Sequence, residues 1–381
     1  MDSIGRITAA VSFLRWSAKG RSRRLNRIMS PEMRDMVDNC TSGWYSYPRT
    51  IRRCFVMLDK NDVLRALMEA GDGVSGAAIA KKLNVSRNAV WKAVEALRED
   101  GHEIEGGTNR GYRLAAEGNV ITKPGVDRWR RTEAIAAQAE IHDCIGSTNS
   151  RAKDLARDGA AHGFLVAADR QDSGRGRFGR QFFSPEGAGI YISFVLRPKI
   201  PAEKAVMITS MAAVAVARAI ESQCDAEVKI KWVNDLYIND RKVCGILSEA
   251  SVDFESGCME YVVLGIGVNV GKVDFPEELA GIATSIFNET GAIVNRNRLI
   301  AEIANRLEGL WDGLEDGAFM DEYRKRSNVI GRCVTVLRGS ECFEAEAVDI
   351  DDQGRLVVRT ESGTEHVGSG EISLKLKGVH Y

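Results

Sequence analysis

From Met57 to about Leu114 the apolar positions recur three times at helical spacing and then alternate. Val63, Leu64, Leu67 and Met68 mark one face of a first helix. Ile79, Ala80 and Leu83 mark a second helix that Ser75 can cap, and Val90, Val94 and Leu97 a third that Ser86 can cap. Asn84-Val85 is the tight connection between the last two. Glu103-Ile104-Glu105 and Tyr112-Arg113-Leu114, parted by the glycine-rich turn 106–111, read as two short strands. Three small helices followed by a hairpin predict a winged helix-turn-helix over 57–116.

The pattern then changes twice. Residues 117–137 are polar, contain Pro124 and read as a linker with some helix. From 138 to 327 apolar runs and helical patterns mix. Phe164–Ala168, Ile190–Leu196, Val228–Trp232, Val243–Glu249 and Tyr261–Val270 predict strands, several of them buried on both faces. Helices are expected over 148–158, 203–222, 296–314 and 317–327. The fold class is therefore α+β, with a sizeable central domain built on a mixed sheet. Over 328–381 short runs at Cys333–Leu337, Glu344–Asp349, Leu356–Arg359 and Glu371–Leu376 alternate with turns, which predicts a small β-barrel.

Composition narrows the picture. The 381 residues are 44% apolar and 28% charged with a net charge of −1, an ordinary globular balance with no overall pull toward nucleic acid or membrane. The charge is uneven: residues 1–56 hold 11 Lys+Arg against 4 Asp+Glu, so the rest of the chain carries −8. That basic segment has no sustained periodicity and reads as a largely disordered upstream extension rather than a nucleic-acid arm. Eight cysteines with no C-x-x-C pair and five dispersed histidines argue against a zinc site and a disulfide framework, and for reduced thiols in the cytoplasm. Ala205–Ile220, the longest apolar stretch, is shorter than the roughly 20 residues of a membrane span, so no membrane association is expected.

On the third helix the inward positions leave Arg87, Asn88, Trp91 and Lys92 outside, beside the capping Ser86; Arg110 lies at the tip of the wing. Arg and Asn read base edges bidentately, so these six residues are the candidate DNA-binding set. Residues 57–114 hold nine basic and nine acidic side chains, however. One copy at zero net charge has weak attraction for phosphate and would need a second copy to bind well. A winged helix used only for protein contact remains the other reading.

Two stretches carry the chemistry. Gly174-Arg175-Gly176-Arg177-Phe178-Gly179-Arg180 alternates residues lacking a side chain with guanidinium forks, a composition suited to bringing backbone N–H groups and arginines against a phosphate. Such a loop has little reason to be ordered without an anion. Lys231-Trp232-Val233-Asn234-Asp235, with Lys242 beyond it, sets a cation and two short polar side chains inside what otherwise reads as buried strand. A flexible nucleic-acid segment for the first, and a snorkelling lysine followed by a hairpin turn for the second, are the plainer alternatives.

In one collinear order over 57–378, these motifs resemble the bifunctional biotin–protein ligases that double as biotin operon repressors. The resemblance rests on Ser147-Thr148-Asn149, on Gln171 upstream of the Gly/Arg loop, on Lys231-Trp232-Val233-Asn234-Asp235, on Asp240-Arg241-Lys242 with Gly245, and on Gly370-Glu371-Ile372-Ser373-Leu374. Phe178 stands where that family commonly has another arginine and Val233 where it has proline. Residues 1–56 have no counterpart in it. The resemblance implies a class II synthetase-like catalytic domain with biotin and ATP as substrates and Mg²⁺ as an accompanying ion. Biotinyl-5′-AMP would form, and its acyl group would pass to a lysine of a biotin carboxyl carrier domain, that of acetyl-CoA carboxylase. It also implies roles: Ser147, Thr148, Asn149 and Gln171 at the biotin ring; Arg175, Gly176 and Arg177 at the carboxylate and α-phosphate; Gly174, Gly179 and Arg180 in the phosphate loop. Lys242 would stabilise charge on the reacting phosphate, and Asn234 and Asp235 would organise Mg²⁺ and nucleotide. Adenylate-bound protein would form a homodimer and bind operator DNA. A lipoate-ligase-like enzyme and a biotin-sensing repressor without catalysis are the rival readings.

Overall fold

Asp59 opens the first helix by accepting the Asn61 amide at 2.9 Å, the capping geometry expected of a short acidic residue at a helix start. In this computed structural model the chain is described over residues 58–376, apart from 108–109, 253–254, 256, 339–340 and 369–371; the basic segment 1–56 lies outside the described residues. Helices α1 (Lys60–Ala70), α2 (Gly76–Leu83) and α3 (Arg87–Glu99) and strands β1 (Glu103–Gly107) and β2 (Gly111–Ala116) form the winged helix-turn-helix the pattern predicts. Val63, Leu64, Leu67, Ile79, Val90, Val94 and Leu97 bury together with Ile104 and Tyr112 from the hairpin. Asn84 turns the chain between α2 and α3 in the left-handed region, a conformation Asn tolerates. Gly106 sits at φ +93, where a Cβ would fall on the Gly111 carbonyl oxygen, so the wing can be built there only with glycine. Of the wing tip, Thr108 and Asn109 are outside the described residues and Arg110 is exposed.

Beyond α4 (Lys123–Trp129) the central region runs β3 (Ala139–Ile145), α5 (Thr148–Arg157), β4 (Phe164–Gln171), β5 (Gly189–Leu196), α6 (Ala205–Glu221), β6 (Lys229–Lys231), β7 (Asp235–Ile238), β8 (Arg241–Val252) and β9 (Met259–Asn269). The strands make one seven-stranded sheet in the order β3-β4-β5-β9-β8-β7-β6. Only β3 and β4 run parallel; every other pairing is antiparallel. Two of these strands escaped the sequence pattern. β3 is an edge strand with no fully buried position, and β7 begins at Asp235, where two polar residues mimic a turn. Helices α7 (Glu277–Ala280), α8 (Ile286–Thr290), α9 (Arg296–Trp311) and α10 (Met320–Arg326) follow. The alanine-rich α6 is buried continuously from Met207 to Ala217 and packs on α9, as expected of a core helix.

Residues 117–137, read as linker with some helix, hold α4 and lie docked along α9. Thr122 donates its amide to Asn297 Oδ1 at 2.9 Å, and Asn297 returns a bond to the Val120 carbonyl at 2.9 Å. Asn305 accepts from the Arg131 amide and donates to the Trp129 carbonyl. Glu308 takes the amides of Glu133, Ala134 and Ile135, which hold its carboxyl below the usual carboxylate range although burial opposes this. Polar side chains of one helix thus substitute for water along an irregular backbone.

The C-terminal unit is a five-stranded antiparallel sheet of β10 (Cys333–Arg338), β11 (Glu341–Ile350), β12 (Leu356–Thr360), β13 (Gly363–Val367) and β14 (Ile372–Leu376), ordered β13-β12-β11-β10-β14. The extra strand, β13, has a mostly exposed, polar sequence because it is one of the sheet's two edges. The unit meets the seven-stranded sheet's region through Trp232, whose indole N–H donates to the Gly354 carbonyl at 2.8 Å. Among the described residues no helix is long and apolar enough to cross a membrane.

Candidate active site

Glycines make the floor of the site. Gly245 on β8 pairs across the ladder with Gly267 on β9, and Gly265 on β9 pairs with Ser193 on β5. A Cβ at Gly267 would come within 2.5 Å of the Phe182 ring, and one at Gly265 would fall on Asn149 Oδ1. The missing side chains let Phe182 and Asn149 lie across the sheet. Above this floor is a cavity of about 430 Å³, large enough for a small-molecule substrate. Ser147, Thr148, Asn149, Gln171, Arg175, Gly176, Arg177, Arg180, Asn234, Asp235 and Lys242 all line it; Gly174 and Gly179 line an adjoining cleft formed by the Gly/Arg loop and the start of α5.

At one end the polar groups are neutral. Gln171 Oε1 accepts from both the amide and the hydroxyl of Thr148, at 2.9 and 3.1 Å, and its Nε2 donates to Ser184 Oγ at 3.0 Å. Ser147 caps α5, accepting from the Ser150 amide. Ser193 on β5 donates toward Thr148 and Asn149 from below. Asn149 spends the rest of its amide on the Leu247 carbonyl and on Glu249 at 2.9 Å, so it buttresses the pocket wall. Burial would raise the Glu249 pKa, but hydrogen bonds from Lys153 and Asn149 prevail and hold the carboxyl below its usual range.

The other end is charged. Lys242 Nζ lies 2.7 Å from Asp235 Oδ1. Asn234 Nδ2 donates to the same carboxylate oxygen at 3.0 Å and to the Ile246 carbonyl, while Asn234 Oδ1 accepts from Arg177 Nη1 at 3.0 Å. Lys231 is buried close by, its ammonium 5.9 Å from the centre of the Tyr237 ring. Burial lowers the pKa of the Arg177 guanidinium, with Asp235 and Tyr323 opposing. A desolvated cation in such a place is one that an added anion would stabilise.

The Gly/Arg loop has more structure than its composition suggests. Gly176 donates to the Arg180 carbonyl at 2.7 Å and Phe182 to the Gly174 carbonyl at 2.9 Å, closing a small hairpin. Arg177 latches it to Asn234, and Arg175 reaches to within 3.8 Å of Glu249. Phe178 sits at φ 56, is 60% exposed, and carries the Arg177 guanidinium 5.0 Å above its ring. The aromatic ring takes up a charge that an arginine in its place would have repelled.

Ser184, Ser193, Phe182, Gly265 and Gly267 were not singled out in the sequence. For the last two, the pattern Gly265-Ile266-Gly267-Val268-Asn269 inside an apolar strand was the available signal, since glycine in a strand marks a close approach. On the winged domain, Arg87, Asn88, Trp91 and Lys92 are exposed on one face of α3, with Trp91 45% accessible. Ser86 Oγ accepts from the Ala89 amide at 3.1 Å as the helix cap.

Known proteins share this arrangement. The sequence profile of the biotin/lipoate A/B protein ligase family matches residues 141–269, a helix-turn-helix profile matches 60–113, and a biotin protein ligase C-terminal domain profile matches 329–375. The chain is 35% identical over 323 residues to the bifunctional ligase/repressor BirA of Bacillus subtilis, covering 83% of this chain and 98% of that one. It is 32% identical over 253 residues to the biotin–[acetyl-CoA-carboxylase] ligase of Mycobacterium tuberculosis, covering 64% of this chain and 89% of that one. Among solved structures, the biotin protein ligase from Aquifex aeolicus in complex with biotin and ATP superposes with a TM-score of 0.56 at 27% identity, over 63% of this chain and all of that one. With these matches and this pocket, the chain belongs to the biotin/lipoate A/B protein ligase family, among the bifunctional ligase/repressors that carry a helix-turn-helix.

Proposed function

We propose that this protein is a biotin–[biotin carboxyl carrier protein] ligase that also represses biotin synthesis genes, with biotinyl-5′-AMP as both reaction intermediate and corepressor. The observation that carries the reading is one cavity with a neutral hydrogen-bonding end at Thr148 and Gln171 and a cationic end at Lys242 and Arg177. A ureido ring needs a few directed bonds in an apolar slot, and a carboxylate meeting a phosphate needs cations.

Biotin's carboxylate oxygen attacks the α-phosphorus of ATP; the bond from that phosphorus to the bridging oxygen breaks and pyrophosphate leaves. Lys242 and Arg177 offset the charge that gathers on the α-phosphate, and Asn234 holds the Arg177 guanidinium in place. An acceptor lysine amine then attacks the acyl carbon, AMP leaves, and the amine's proton is lost. No nucleophile from the ligase is needed. Among the described residues no group of three or more His, Cys, Asp or Glu side chains is arranged to hold a metal. Mg²⁺ accordingly fits as an ion brought with the nucleotide phosphates, where it would neutralise phosphate charge. Asp235, whose carboxylate lines the cavity beside Asn234, would be the residue to hold it.

The test is incubation with ATP, a carrier domain, and either biotin or lipoate. Biotin transfer supports the reading; lipoate transfer, or biotin binding without transfer, overturns it.

Adenylate bound under the Gly/Arg loop would favour a homodimer, and two winged domains would then meet two operator half-sites. The zero net charge of residues 57–114 makes that dependence physically sensible. Operator binding should therefore require biotin plus ATP; equal affinity without them would defeat the coupling. Arg87→Ala should weaken specific operator binding by about 1–3 kcal/mol while sparing ligation, measured by titration of operator and scrambled DNA.

A further inference from the structure

We propose that Glu289 is a positioning residue for adenylation, acting through Lys242; this rests on the ligase reading above. Glu289 lies on α8, outside the cavity, with a side chain only 4% exposed. A carboxylate so buried needs partners, and it has three from two separate segments. Oε1 lies 2.5 Å from Arg241 Nη2 and accepts from Thr284 Oγ1 at 2.6 Å. Oε2 accepts from Asn239 Nδ2 at 3.0 Å.

Both segments hold the backbone of Lys242. The first is the β7–β8 hairpin turn, whose Asn239 and Asp240 have φ of 50 and 62, the signature of a two-residue turn of the primed type. Arg241 follows it and Lys242 comes next. The second segment lies beside Lys242 as a parallel bridge: Lys242 donates to the Ile282 carbonyl at 2.9 Å and Thr284 donates to the Lys242 carbonyl at 2.8 Å. Asn269 Nδ2 anchors the Thr284 carbonyl at 2.9 Å. Between Tyr237 and Leu236 the β7–β8 register shifts, so the strand carrying Lys242 is bulged where it approaches the cavity. Bulges re-aim side chains, so where Lys242 points depends on how its root is held. Glu289 holds that root: one carboxylate fastens the turn on one side of Lys242 and the bridging segment on the other. A flexible lysine stem loses much of its effect on a developing charge if its root moves by an ångström, so the clamp matters for the reaction although Glu289 never touches substrate.

The experiment uses the full chain and reads pyrophosphate release with biotin, ATP and saturating carrier domain to discharge the adenylate, together with biotin binding by calorimetry and a thermal midpoint. Glu289→Gln keeps the side chain's shape and an acceptor for Thr284 but removes the charge opposite Arg241. It should lower kcat by about tenfold and leave biotin affinity within about twofold. Thr284→Val, which keeps the carboxylate and removes one donor, should show a smaller loss of the same kind. In the Lys242→Ala background each loss should shrink to less than about twofold, because residues acting through one group are not additive. Equal fold-losses in the two backgrounds, or a fall in biotin affinity matching the fall in kcat, would overturn the proposal. The unmodified chain's absolute rate tests the ligase reading separately: if it releases no pyrophosphate with biotin, that reading fails, whereas the clamp is judged only from ratios between active variants.

Discussion

Lys242→Ala should slow formation of biotinyl-5′-AMP by about 10²–10³, the loss expected when one charge-stabilising donor leaves a water-poor site. The ammonium lies 2.7 Å from Asp235 at the cationic end of the cavity, where the α-phosphate gathers charge as biotin's carboxylate attacks. Removing it also strips Asp235 of its ion-pair partner beside that charge, leaving Asn234 and the nearby Arg177 to offset the carboxylate. Stability should change little, because the lysine side chain is half-buried at the cavity edge and contributes no core packing. Single-turnover measurement of adenylate checks the rate loss; wild-type adenylation by the alanine variant would remove Lys242 from the catalytic set.

Arg177→Gly should leave adenylate synthesis partly intact and speed escape of the intermediate by tenfold or more. A mixed anhydride is reactive, and a ligase must both make it and keep it from water and stray amines. The Gly/Arg loop closes over the cavity with the Arg177–Asn234 bond as one of its latches. Ordering a glycine-rich loop costs roughly 1–2 kcal/mol per residue, and charge-assisted bonds of about 1.5–3 kcal/mol from Arg177 to the acyl-phosphate offset part of it. Burial lowers the pKa of this guanidinium, so the bound anion is where its charge is best stabilised. Glycine removes the latch and adds chain entropy together. Biotin incorporation into a bystander such as albumin is the readout. If the variant makes adenylate yet labels no more bystander than the wild type, the loop is not the retention gate.

What could be read from the sequence was whatever is contiguous. The Gly/Arg loop and the Lys231–Asp235 run are written in consecutive residues, and their unusual composition survives without any knowledge of the fold. The winged domain was legible because each helix carries its own cap and its own apolar face. Features that exist only across strands were not. Gly265 and Gly267 matter because Asn149 and Phe182 reach over them, and Ser193 and Ser184 because they hold Thr148 and Gln171 in place. Asp235 resembles a turn in sequence yet starts a strand of the main sheet, because the three residues 232–234 suffice to reverse β6 into β7. Periodicity has no means of expressing such partnerships.

The docking of residues 119–135 along α9 decides where this protein can be severed. A cut placed after residue 137, at the edge of the catalytic pattern, would discard Ile121, Val126 and Ile135, all buried in the same core as the central sheet. Each is worth about 1.5–3 kcal/mol of burial, and Asn297, Asn305 and Glu308 would lose the backbone groups they bind. A cut before Asn119, just past the wing, removes the DNA-reading module and leaves those partners in place. The strap is heritable with the ligase, and any rearrangement that exchanges the reading head while keeping the enzyme has its seam between β2 and Asn119.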